Sequence, residues 1–227
     1  MGIPKNKRIL SVILKCIVIL AASVGTFLSA ISGMGGFMSG SRVFMYFTIQ
    51  SNIAVALVSA AGLVLMLRGK EISGVWYVLD YVGAVSITMT CSVFTFVLAP
   101  TLGDLAWTVY NVLTHLIVPI AFIVDFFIIA VYGDIKKTHL PLVLIPPLAY
   151  GIYAEIAYFA GWEFLKGQKY PYFFLNWDSP AGAFGFCEEL PFMGCVWWIT
   201  ALGIVFILVG IVYLLIVNKI KRKMKRS

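Results

Sequence analysis

Two pairs of residues four apart carry the reactive side chains of this sequence. Thr48 and Asn52 fall in the run MYFTIQSN, and Asn111 and His115 in the run YNVLTHLIVP. In a helix that spacing puts both members of a pair on one face. Each face would then present one reactive group beside one amide. Acyl transfer needs a nucleophile, a base within hydrogen-bond reach of it, and donors where an oxyanion forms. Thr48 supplies a hydroxyl, a poor nucleophile until its proton is taken, and His115 is the histidine set deep in an apolar run, with an imidazole suited to take it. Asn52, Asn111, Gln50 and Ser51 are candidates to donate to the oxyanion or to orient the imidazole. Glu155 is an alternative orienting group.

The elements that must position these residues follow from composition. Of 227 residues 61% are hydrophobic and 12% charged, and the mean hydropathy is +0.97, so water is not the solvent of this chain. The apolar runs predict an all-α polytopic membrane protein: one six-helix domain over 1–227, with spans near 9–32, 43–67, 76–98, 107–132, 139–160 and 191–218. The first run follows basic residues and meets Ser29, Ala30 and Ser32, as a signal peptide would. Its apolar stretch exceeds the 7–15 residues of a signal core, and it reads as the first span.

The net charge of +7 does not point to nucleic acid, because the basic residues gather at the ends of apolar runs. On one side fall Lys5, Lys7, Arg8, Lys15, Arg68, Lys70, Lys136, Lys137, Lys219, Lys221, Arg222, Lys223, Lys225 and Arg226. The other side holds only Arg42, Lys166 and Lys169. Fourteen against three predicts both termini in the cytoplasm.

The outward segments are then SGMGGFMSGS, Gly- and Ser-rich and read as a flexible gate or connector, and the long loop 161–190. That loop carries Trp162, Phe164, Tyr170, Tyr172, Phe173, Phe174 and Trp177, expected to anchor it at the membrane surface, capping the bundle, rather than to close over a substrate. Pro146 and Pro147 should bend the fifth span. Cys16 and Cys91 read as packing residues. Cys187 and Cys195, both outward and eight apart, could pair in an oxidising compartment, and no zinc-ligand spacing is present. No internal repeat of the transporter kind is visible.

Ionisable groups inside spans are costly and become candidates by default. They are Asp80, His115, Asp125 and Glu155, in two layers. At 1.5 Å per residue Thr48 lies roughly 7 Å and His115 roughly 13 Å below the outer helix ends, with Glu155 near the same level. Asp80 and Asp125 lie nearer the cytoplasm, where pairing of Asp80 with Thr88 or Lys70, and of Asp125 with Lys136 or Lys137, is expected to be structural. His139 reads as interfacial. Spacing alone favours a plainer reading of Thr48 and His115 as well, as hydrogen-bonding glue between helices.

A resemblance shifts that balance. MYFTIQSN around Thr48 and YNVLTHLIVPIAFIVDFF around His115, with weaker echoes in YGIYAEIAYFAGW and KYPYFF, resemble the androgen-induced and androgen-dependent membrane hydrolases of fatty acid esters of hydroxy fatty acids, and their bacterial six-helix relatives. The matching segments cover most of the chain in order and spacing. The resemblance implies an intramembrane threonine and histidine as the catalytic pair, on Thr48 and His115. Pro119, four residues after the histidine rather than the five of animal members, and Asp125 are similar to the bacterial branch.

The expectation is an intramembrane threonine hydrolase of amphipathic lipid esters, in the bacterial cytoplasmic membrane, its partners being the bilayer and the ester substrate. It needs no metal or organic cofactor and no nucleic acid. Three other readings stay open: a lipid acyltransferase using the same dyad, a small-solute transporter using the ionisable residues, and a scaffold without chemistry. A Gly-x-Ser-x-Gly nucleophile motif is absent, which argues against a rhomboid-type protease. Oligomeric state is not encoded legibly.

Overall fold

The structure is a computed structural model describing residues 3–32, 40–70 and 74–226. Among the described residues six helices are long and apolar enough to cross a membrane: α1 (Lys5–Ser32), α2 (Phe47–Leu67), α3 (Gly74–Leu102), α4 (Val109–Tyr132), α5 (Lys137–Phe159) and α6 (Cys195–Met224). Among the described residues there is no strand, only two isolated bridges, Leu165 with Gln168 and Phe186 with Met193. Most of the Gly- and Ser-rich segment, residues 33–39, lies outside the described residues.

The helices run alternately up and down. The Arg8 guanidinium donates to the Met66 carbonyl at the end of α2, and Lys221 on α6 donates to the Gly133 carbonyl after α4. Both termini therefore sit at one end of the bundle. α1 packs against α2 and α4, α3 joins α2, α4 and α6, and the core between them is built from Val18, Val55, Tyr81, Ile87, Phe122 and Phe126. Without a hydrophobic drive between helices in lipid, close approach depends on small residues. Gly25 shows this: a Cβ there would come within 2.7 Å of the Thr114 methyl, so only glycine lets α1 press on the turn that carries His115.

The two polar layers are present, with partners that differ from the expected ones. Lys15 is not a loop-flanking charge; it is buried in the bundle, its ammonium 2.6 Å from the Asp125 carboxylate, with side-chain exposures of 1% and 2%. Asp80 is buried within electrostatic reach of both. Asp125 thus pairs with neither Lys136, which meets Asp134 at 3.3 Å, nor Lys137, and Thr88 bonds the Tyr213 hydroxyl at 2.6 Å rather than Asp80. The apolar surroundings explain the choice: an ammonium and a carboxylate on facing helices offset part of each other's desolvation penalty. Removing Lys15 from the count of flanking charges leaves their bias unchanged in direction.

α5 changes winding where the sequence predicts a bend. Lys137–Leu144 is a 3-10 helix and Ile145–Phe159 an α-helix whose first turn holds Pro146 and Pro147, positions where no N–H is needed. The 3-10 half packs against α3 and α6, while the α half packs chiefly against α2. α5 and α6 consequently part toward the end away from the termini.

The long loop does more than anchor. Phe164 and Phe174 are buried, and with Leu175 they pack on Val43, Tyr46, Ile49 and Tyr150. The Tyr46 hydroxyl donates to the Phe164 carbonyl at 3.0 Å. The loop folds into the open end of the bundle, its aromatics directed partly inward, while Trp162, Phe184 and Phe186 stay exposed. Cys187 and Cys195 are both free thiols; Cys187 donates to the Glu189 carbonyl at 3.1 Å and Cys195 is buried at the start of α6, so the pairing considered from sequence is not formed.

Candidate active site

Thr48 is the second residue of α2, after Tyr46 and Phe47. His115 lies on α4 inside a π-helical turn, Leu113–Ile117, and the Val118 N–H reaches back five residues to the Leu113 carbonyl. In that register the Thr114 carbonyl should receive the N–H of residue 119, which is Pro119 and has none. Asn52 fills the gap, its amide donating to the Thr114 carbonyl at 3.0 Å and to the Thr48 carbonyl at 2.7 Å. One side chain thus ties the Thr48 turn to the His115 turn.

The result is a contact between hydroxyl and imidazole: Thr48 Oγ1 lies 3.3 Å from His115 Nε2, both side chains buried. The tautomer follows from the other ring nitrogen. Nδ1 is 3.1 Å from the Asn111 carbonyl, which can only accept, and 3.2 Å from Thr114 Oγ1, whose own proton goes to the Tyr110 carbonyl at 2.8 Å. Nδ1 therefore carries the proton, and the Nε2 lone pair faces Thr48. Phe94 stacks on the imidazole with centroids 3.7 Å apart, fixing the ring plane. Phe94 itself opens a second π turn, Phe94–Leu98. Thr95 and Pro100 on α3, like Thr114 and Pro119 on α4, are a threonine and a proline five apart, a signal repeated in the sequence.

The supporting residues take roles unlike those expected. Asn111 orients the imidazole through its backbone carbonyl. Asn52 spends both amide hydrogens on carbonyls and is not free to donate to an oxyanion. Ser51 bonds the Thr48 carbonyl and the Thr90 hydroxyl, each at 2.9 Å, holding α2 to α3. Gln50 turns away to the Phe44 carbonyl at 3.0 Å. Glu155 does not reach the imidazole; its carboxylate accepts the Trp177 indole N–H.

Thr48 opens onto a cavity of about 740 Å³ enclosed by α2, α3, α5, α6 and the long loop. Its walls are almost wholly apolar, with Thr90, Glu155, Tyr150, Tyr172 and Trp177 among the few polar side chains. One side is open. Leu148, Ile152, Ile156, Phe159 and Ile199 line the cavity and are nonetheless exposed, from 39% for Ile199 to 81% for Phe159. This is the cleft where α5 and α6 part.

Tyr172, assigned from sequence only to an aromatic belt, reaches the same place. Its ring packs against Tyr46, Tyr150 and Phe174. Burial pushes its phenol above the ordinary value, and interactions with the Thr48 side chain, the Thr48 and Phe47 N–H groups and the Tyr150 hydroxyl act in the opposite sense. Nothing in the spacing of KYPYFF signals this; only the fold of the loop brings it to Thr48.

Among the described residues no three His, Cys, Asp or Glu side chains gather as a metal-ligand set. No family model, curated protein or solved structure matches this chain.

Proposed function

We propose that this protein is an intramembrane ester hydrolase with Thr48 as nucleophile and His115 as general base and acid, acting on long-chain lipid esters. The observation that carries the proposal is the Thr48–His115 contact at 3.3 Å, with Nδ1 held by a carbonyl and Nε2 left as acceptor, at the wall of an apolar cavity. Interhelical glue requires no particular tautomer, and it requires no 740 Å³ void beside it. A void of that size holds a long hydrocarbon chain.

His115 Nε2 takes the Thr48 proton as Oγ1 bonds to the ester carbonyl carbon. The tetrahedral intermediate collapses, the leaving alkoxide takes the proton back from His115, and an acyl-threonine remains. Water activated by the same nitrogen releases the fatty acid. A separation of 3.3 Å at rest is compatible with this, since catalytic hydrogen bonds tighten in the reacting complex. The exposed apolar residues between α5 and α6 offer a way in from the lipid phase.

The flanking charges support both termini facing the cytoplasm of a bacterial inner membrane. The dyad then lies in the outer half of the bilayer. The likeness of the Thr48 and His115 segments to the hydrolases of fatty acid esters of hydroxy fatty acids supports the same substrate class, an ester joining two apolar chains.

Hydrolysis of a panel of long-chain esters by purified wild type, Thr48→Ala and His115→Ala in detergent tests the proposal. Each substitution is expected to lower kcat by about 10²–10⁴ while the protein elutes as a single folded species. Equal rates for all three proteins would refute it.

A further inference from the structure

The dyad leaves one requirement of acyl transfer unfilled, because the amides nearest to it are engaged. Asn52 donates to two carbonyls and Gln50 to a third. A tetrahedral oxyanion formed on Thr48 must be held by some other donor.

We infer that the Tyr172 phenol, together with the N–H groups of Phe47 and Thr48, forms the oxyanion hole. This rests on the hydrolase reading of the dyad. Tyr172 lines the same cavity as Thr48 and interacts electrostatically with its side chain. Its ring is clamped between Tyr46, Tyr150 and Phe174, with centroids 6.1, 6.3 and 5.1 Å away, so its direction is fixed before substrate arrives. Phe47 and Thr48 are the first residues of α2, and their N–H groups have no carbonyl of their own helix to reach. The phenol interacts electrostatically with those N–H groups, and Phe47, Thr48 and Tyr172 line one stretch of the cavity wall.

The directions of donation are mutually consistent. In this assignment the phenol oxygen accepts from the backbone, its proton is directed to Thr48 Oγ1, and Oγ1 gives its own proton to His115 Nε2, 3.3 Å away. When Oγ1 bonds to the ester carbon, the carbonyl π pair moves onto the oxygen. The displaced phenol proton and the freed N–H groups then converge on that oxygen, at the positive end of α2. The transferred proton goes to His115 and returns to the leaving alcohol. Tyr172 is never deprotonated and no further reactant is required.

Tyr172→Phe removes the donor and keeps the ring packing. Two readouts apply: steady-state hydrolysis of a long-chain 4-nitrophenyl ester, and inhibition by a long-chain alkyl trifluoromethyl ketone, which adds to Thr48 Oγ1 and presents the same oxyanion. The expected result is a kcat lower by about 10²–10³ with KM within about threefold. Ketone inhibition should weaken by a similar factor while binding of the free fatty acid stays unchanged. Hydrolysis by Tyr172→Phe at the wild-type kcat would overturn the assignment, as would parallel loss of ketone and fatty acid binding, which marks Tyr172 as a wall of the cavity. If wild type and Thr48→Ala turn over equally, the dyad reading fails and this inference with it, an outcome distinct from active wild type beside an unimpaired Tyr172→Phe.

Discussion

If the cavity holds the acyl chain, as the proposed hydrolase reading requires, it sets a limit on acyl length that one substitution should shorten. Gly203 lies on α6 in the cavity wall, and a Cβ placed there meets no atom within 4 Å. Gly203→Phe has room for its Cβ and would place its ring on the cavity wall, and phenylalanine is a better helix former than the glycine it replaces. A phenyl ring occupies the room of roughly four methylenes, each contributing about 0.8 kcal/mol when buried. For ester taken up from water, excluding them removes about 3 kcal/mol of chain binding, roughly 200-fold in kcat/KM for esters long enough to reach the ring, and less for ester already in an apolar phase. Esters too short to reach it should be hydrolysed within about threefold of wild type. The assay is kcat/KM against acyl length, from butanoyl to hexadecanoyl 4-nitrophenyl esters, for both proteins. Curves that overlap at long lengths would show that the acyl chain does not occupy this void, and a uniform drop at every length would show damage to the dyad instead.

Three other outcomes follow from the packing. Lys15→Met strands the Asp125 carboxylate and should lower stability by about 3–5 kcal/mol, while Lys15→Met with Asp125→Leu should recover most of it, read as thermal unfolding in detergent. Asn52→Ala leaves the Thr114 carbonyl without its donor, while the Thr48 carbonyl keeps the Ser51 hydroxyl; a cost of about 1–3 kcal/mol is expected in the same melt, with kcat falling as the two turns separate. Iodoacetamide on the unreduced native protein should alkylate Cys187 and spare Cys195 until denaturation, and mass analysis without reductant should show both thiols free.

What was legible in the sequence is what one length scale or one helical period controls. The six spans follow from the thickness of a bilayer, and the observed ends differ from the predicted ones by a few residues, most at Met224 on α6. The pairs Thr48 with Asn52 and Asn111 with His115 each share a face as the four-residue spacing requires, and the two faces do meet. Partner choice was less legible because it belongs to tertiary packing. Lys15 resembles a flanking charge, since only the presence of Asp125 110 residues away makes its burial tolerable. Glu155 sits near the depth of His115, but the loop supplies Trp177 as a closer partner. Tyr172 was hidden because loop conformation has no period to read. The Thr-to-Pro spacing repeated on α3 and α4 is the exception, a visible signal for the two π turns that place Phe94 against His115.

The buried ion pair also bears on how the protein is made. A chain emerges N-terminus first at about 5–20 residues per second, so roughly 5–20 s separate synthesis of Lys15 from that of Asp125. For that interval α1 carries an ammonium with no carboxylate on α4 to receive it. Asp80 on α3 appears earlier and within electrostatic reach, a temporary counter-ion for the nascent helix. α1 can settle into its central position only after α4 arrives. The contact of Gly25 with Thr114, and through it the placing of His115 opposite Thr48, is then among the last steps of assembly. The Lys15–Asp125 pair and the Thr48–His115 contact both join α4 to helices made before it, so both are completed only once α4 stands in the bundle.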